Sequence, residues 1–75
     1  MLDQLTKLIR EYKDDDTLEV NEKMTLSGDL GLSSLDFIQL GTLIEEDLHI
    51  RFSDRDIKDI RTVGDVVRII ERLKN

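Results

Sequence analysis

The sequence contains no cysteine and no proline. Without cysteine, neither disulfides nor a thiolate-bound zinc can brace the fold, and the chain owns no thiol for chemistry. Without proline, turns and helix ends are left to glycine and short polar residues. Histidine occurs once, as His49. It falls at the end of an apolar helical pattern with no second ligand in sequence, which leaves it a loop residue rather than a base or a metal ligand. No apolar run approaches the length of a signal h-region or a membrane span, so a cytosolic protein without membrane insertion is expected.

A further absence is local. From Met24 to Ile50 there is no lysine or arginine, while Asp29, Asp36, Glu45, Glu46 and Asp47 place −5 of the formal net charge of −6 in that stretch. Phosphate backbones are bound by basic side chains, which disfavours nucleic acid as a partner. The same acidic field steers basic protein patches toward this face. At 75 residues the chain makes one small domain with a thin core and no room for a deep catalytic cleft. The three consecutive acids Asp14, Asp15 and Asp16 lack the spaced ligands, central glycine and distal glutamate of a calcium loop, and are read as solvated loop.

What is present is helical period. Leu2, Leu5, Leu8, Ile9 and Tyr12 recur at steps of three and four, predicting a helix over 2–13. Residues 14–33 lose that period but keep Leu18, Val20, Met24, Leu26 and Leu30 at intervals, the pattern of a long loop anchored to a core. Three hydroxyl residues then have an acid three positions later: Ser33 with Asp36, Ser53 with Asp56, and Thr62 with Asp65. Each marks a helix start. The expected helices are 34–47, a short one over 54–60, and 63–73, the last with a stripe of Val63, Val66, Val67, Ile70 and Leu73. The Leu48–Phe52 segment alternates briefly but has no second strand to pair with. The fold class is therefore all-α, a small four-helix bundle with a short third helix and a long loop between the first two.

Ser34 stands out within Leu30-Gly31-Leu32-Ser33-Ser34-Leu35-Asp36. A serine nucleophile needs an oriented base, and none is in evidence. The nucleophile-elbow pattern fails as well, because Leu35 stands where the glycine after a Ser33 nucleophile is required. Ser33 supplies the cap, so Ser34 falls at the first helical position with its side chain free. A group attached there would sit at the positive end of the helix dipole, which suits a phosphate. Ser34 reads as a substrate of another enzyme.

At these residues the chain resembles the acyl carrier proteins, whose mark is a leucine, a glycine and a variable residue followed by Asp-Ser-Leu and an acid. The resemblance runs on through Glu45-Glu46-Asp47-Leu48, Phe52-Ser53-Asp54 and Ile60-Arg61-Thr62-Val63-Gly64-Asp65, covering about residues 26–70. It implies that Ser34 receives 4'-phosphopantetheine from coenzyme A through a phosphopantetheinyl transferase, and that a thiol absent from the chain arrives on this arm. It further implies a carrier of acyl thioesters, not an enzyme, in fatty-acid, polyketide or specialised lipid synthesis. Cargo would tuck among the helices, here between the apolar faces of the second and fourth.

The second helix is the usual recognition element in such carriers. Phe37, Leu40, Ile44 and Leu48 form its more apolar stripe and are assigned inward. Leu35, Asp36, Ile38, Gln39, Thr42, Glu45 and Glu46 are left as a docking face for acyl-transferring and synthase enzymes with basic patches. A monomer is expected. Ser33, Gln39 and Thr42 depart from the family's usual aspartate, glutamate and larger apolar residue. Phe37 could narrow a cargo pocket, and Gly41, mid-helix, either leaves space for cargo or permits a close helix approach. Two other readings stay open: an unmodified acidic interaction module, and a peptidyl or aminoacyl carrier, although Leu32-Ser33 departs from the glycine and histidine common there.

Overall fold

A computed structural model describes residues 1–74. Its helices are α1 over Leu2–Lys13, α2 over Ser34–Leu48, α3 over Asp54–Asp59 and α4 over Val63–Lys74. The expected bundle is present, and each helix bound lies within one residue of its predicted place.

All three hydroxyl–acid pairs form reciprocal caps. Ser33 Oγ accepts the Asp36 amide at 3.1 Å while Asp36 Oδ2 accepts the Ser33 amide at 2.9 Å. Ser53 and Asp56 repeat this at 3.1 Å in both directions, and Thr62 and Asp65 at 3.0 and 3.2 Å. Each box satisfies amides that a helix start otherwise leaves without partners. The first two helices stop sharply at residues in the left-handed region, Asp14 with φ 55° and His49 with φ 57°. His49 therefore serves through its backbone, which turns the chain so that the Ile50 amide bonds back to the Glu45 carbonyl.

The core draws Leu5, Leu8 and Ile9 from α1, Leu40, Ile44 and Leu48 from α2, and Val63, Val66, Val67 and Ile70 from α4. The stripes read from the sequence face inward except toward their ends. Leu73 lies 36% exposed beyond the end of the core, and Leu2, Tyr12 and Phe37 are only half-buried. Burying each apolar side chain contributes about 1.5–3 kcal/mol, so this cluster outweighs any surface pairing in holding the helices together.

The long loop is fastened at both levels. Leu26 and Leu30 are buried as anchors, joined by Leu32, while Leu18, Val20 and Met24 pack half-buried against the core. Backbone bonds then tie the loop to the start of α4: Leu26 amide to Arg61 carbonyl at 3.1 Å, Val63 amide to Met24 carbonyl at 2.9 Å, and Gly64 amide to Glu22 carbonyl at 2.9 Å. At Gly64 a Cβ would stand 3.0 Å from the Glu22 carbonyl oxygen, so the residue is glycine because two backbones meet there. This stapling fixes the segment that leads into Ser34.

Candidate functional site

The approach to Ser34 turns at Gly31, whose φ of +65° lies in the left-handed region that costs side-chain-bearing residues energy. The turn buries Leu32, whose amide bonds to the Leu26 carbonyl at 3.0 Å, and delivers Ser33 in an extended conformation to the cap. Ser34 follows as the first residue of α2. Its side chain is exposed, and its hydroxyl has no hydrogen-bond partner among the described residues. The amides of Ser34 and Leu35 are likewise unpartnered there, since the cap takes up those of Ser33 and Asp36, and Phe37 bonds to the Ser33 carbonyl. A free hydroxyl beside two free amides at a helix start is a donor set that fits a phosphate ester.

Asp36 is more committed than a free docking acid. Its Oδ2 accepts the Ser33 amide and its Oδ1 accepts the Tyr12 hydroxyl at 2.7 Å. These bonds, the Ser33 amide first, hold its carboxyl below the usual carboxylate range. The Tyr12 phenol is correspondingly raised above its ordinary value by its bond to Asp36. Glu45 is also engaged: it is half-buried, and its Oε2 accepts the Phe52 amide at 2.7 Å, fixing the chain that enters α3. Of the expected docking residues, Leu35 at 62% and Ile38 at 65% are the exposed apolar pair, flanked by exposed Gln39, Thr42 and Glu46. Thr42 spends its hydroxyl on the Ile38 carbonyl at 3.1 Å.

Beneath this face lies an apolar cavity of about 150 Å³, bounded by Phe37, Leu40 and Gly41 of α2, by Phe52, Ile57 and Ile60 around α3, and by Leu5 and Ile9 of α1. The fourth helix contributes only Val66. The interior space therefore opens between α2 and the α3 segment, whereas the resemblance implies a cargo site between α2 and α4. The reason is packing: the valines and Ile70 of α4 are consumed by the core. A Cβ built at Gly41 meets nothing within 4 Å, so the glycine borders open space and does not mark a close helix approach. Phe37, Leu26 and Ile60 line both this cavity and an open cleft that contains Ser33 and Ser34. No group of acids and histidine among the described residues is placed to hold a metal ion.

Three features of this site were not read from the sequence. By spacing Tyr12 belongs to the apolar stripe of α1, and only the fold brings its hydroxyl to Asp36 and Gln39. Leu32 belongs to no periodic pattern, although its place between Gly31 and Ser33 was a usable signal. Asp56, buried at 6% exposure, pairs with Arg72 of α4 in addition to its cap, joining helices that no spacing rule connects.

The family described as the phosphopantetheine attachment site matches residues 3–70 of the chain. An acyl carrier protein of Phenylobacterium zucineum is 37% identical over 71 residues, covering 95% of this chain and 90% of the relative. Among solved structures, a Mycobacterium tuberculosis protein provisionally assigned as an acyl carrier superposes with a TM-score of 0.88 at 31% identity, covering 95% of each chain. The acyl carrier protein of Thermotoga maritima gives 0.82 at 28% identity, covering 96% of this chain and 84% of that one. The fold and the site thus define a phosphopantetheine-bearing helical carrier, and the chain belongs to the acyl carrier protein family.

Members of this family carry a 4'-phosphopantetheine prosthetic group and are carriers rather than enzymes. They interact with phosphopantetheinyl transferases and acyl-handling enzymes. No described helix is long and apolar enough to cross a membrane.

Proposed function

We propose that Ser34 Oγ is the attachment point of the phosphopantetheine arm, and that the chain shuttles acyl thioesters between enzymes of fatty-acid, polyketide or related specialised lipid synthesis in the cytoplasm. The arm supplies the thiol that carries cargo. The observation that carries the reading is the division of labour between adjacent serines: Ser33 caps α2 and Ser34 is left exposed with an unbonded hydroxyl. Gly31 sets the turn, and the Ser34 and Leu35 amides are available to the phosphate oxygens.

The cavity under Phe37 and Gly41 suits the first carbons of an acyl chain. At about 150 Å³ it matches in size an apolar engineered cavity that binds benzene, so it holds a short chain without rearrangement and a long one only by parting α2 from α3. Docking of basic partner patches falls to Leu35 and Ile38 with Gln39, Thr42 and Glu46, while Asp36 and Glu45 support the face from within.

The test is incubation of the purified protein with coenzyme A and a broad-specificity phosphopantetheinyl transferase. One phosphopantetheine mass is gained by the wild type and none by Ser34→Ala; absence of any gain in the wild type rejects the assignment.

A further inference from the structure

The cleft that holds Ser34 is walled on its far side by the turn before α4. It is lined by Leu26 from the loop, by the cap residue Ser33, by Ser34 and Phe37 of α2, and by Ile60 and Arg61. Arg61 is the one charged residue among them. This is unexpected in its setting, because the stretch from Met24 to Ile50 that supplies the rest of the cleft apart from Ile60 has no cation.

Arg61 is held by its backbone and free at its tip. Its carbonyl accepts the Leu26 amide at 3.1 Å and its own amide donates to Asp65 Oδ2 at 3.0 Å. The adjoining bridge between Thr25 and Thr62 locks the same segment against the loop. The guanidinium, however, has no hydrogen-bond or ion-pair partner among the described residues. The acids of the two adjoining helix caps are occupied. Asp65 bonds the Arg61 and Thr62 amides through Oδ2 and Arg68 through Oδ1, and Asp36 is taken by Ser33 and Tyr12.

We propose that Arg61 is a positioning residue for the prosthetic group, its guanidinium pairing with the phosphodiester monoanion attached at Ser34. The proposal rests on the reading of Ser34 as the attachment point. A guanidinium offers a planar fork of N–H donors that matches two phosphate oxygens, a geometry a lysine cannot reproduce. The pair pins the root of the arm in the cleft beside Phe37 and Ile60, two of the three side chains shared with the cavity. Because the cleft is open to solvent, the bond is one of orientation more than of strength.

The experiment loads the wild type, Arg61→Ala and Arg61→Lys and confirms loading by intact mass. It then records the ³¹P spectrum of the phosphodiester and the exchange rate of the Arg61 Nε–Hε proton in apo and loaded wild-type protein. Expected are a displaced ³¹P resonance in Arg61→Ala, unmoved in an Arg68→Ala control, and Nε–Hε exchange slowed about twofold to fivefold on loading, the scale of an exposed ion pair. The exchange measurement needs no variant, so it decides even if Arg61→Ala folds or loads poorly. Loading with an unchanged exchange rate and ³¹P shift overturns the role of Arg61 while leaving Ser34 intact. Failure of the wild type to gain mass overturns both.

Discussion

The Tyr12 hydroxyl of α1 lies 2.7 Å from Asp36 Oδ1 and 2.7 Å from the Gln39 amide oxygen of α2. A phenol has one proton to share between these acceptors, and the carboxylate is the stronger of the two. Asp36 is also the acid of the Ser33 cap, so α1 is bonded to the residue that sets the geometry at Ser34. Tyr12→Phe removes the bond and leaves the ring packing, and we expect a melting temperature lower by a few degrees. The phenol itself reports the contact. Its titration at 295 nm lies above the ordinary tyrosine value of about 10 in the wild type and falls toward it in Asp36→Asn, which removes the charge but not the partial burial.

Acid should loosen the three helix starts together. The folded protein holds Asp36, Asp56 and Asp65 below the usual carboxylate range, in each case chiefly through the backbone amide of the capping hydroxyl residue. A carboxylate depressed in the folded state stabilises fully above its unfolded value of about 3.9, and this contribution is lost as pH falls through the lower folded value. Melting temperature therefore declines below about pH 4. Asp56→Asn, which also gives up the charge paired with Arg72, shows a lower melting temperature at pH 7 and a shallower fall on acidification. Parallel pH profiles for the variant and wild type would rule out the Asp56 capping box as a source.

Much of this architecture was legible because local signals agreed. The three hydroxyl–acid pairs located the helix starts, and the apolar stripes of α1 and α4 located their buried faces. The exposed, unbonded position of Ser34 was legible for the same reason, since its neighbour Ser33 announces the cap. The α2 face was harder, because Leu35 and Ile38 are as apolar as the residues that pack inward, and Phe37 at the edge of the stripe divides its surface between a cleft and a cavity. The contacts of Tyr12, Glu45 and Asp56 join residues distant in sequence or borne by loops, and no periodicity encodes them. Spacing marked the helices well, but the side of α2 that opens into space depended on what α4 had already filled.

Gly31 is expected to resist substitution even though space surrounds it. A Cβ there meets nothing within 4 Å, yet the φ of +65° remains unfavourable for any side chain. Gly31→Ala costs about 1 kcal/mol by chemical denaturation, and Gly31→Asn, whose side chain tolerates this region, costs less. Equal effects of the two would mean that the turn relaxes to another conformation.

Gly41 presents the opposite case. Alanine in place of a helical glycine stabilises by about 0.5–1 kcal/mol, and at this position the added methyl meets open space. Gly41→Ala should raise the stability of the unloaded protein while shrinking the cavity it borders. Loaded with acyl groups of increasing length, the variant should lose the acyl-dependent rise in melting temperature at a shorter chain than the wild type does. An unchanged chain-length profile would place the cargo outside this cavity.

Glu45 and Glu46 are adjacent acids with different surroundings, and reversing their charges separates docking from folding. Glu46 is exposed, whereas Glu45 Oε2 holds the Phe52 amide at the entry to α3. Glu46→Lys should leave the melting temperature near that of the wild type and reduce kcat/KM for loading by a transferase about threefold or more at low salt, because a rim charge acts mainly on the rate of encounter. The deficit should shrink toward 0.15 M salt, where screening sets in beyond about 8 Å. Glu45→Lys should instead lower the melting temperature, since the Phe52 amide loses its acceptor and a cation cannot replace it. If both reversals slow loading equally with no loss of stability, Glu45 docks partners through its charge and the bond to Phe52 is incidental.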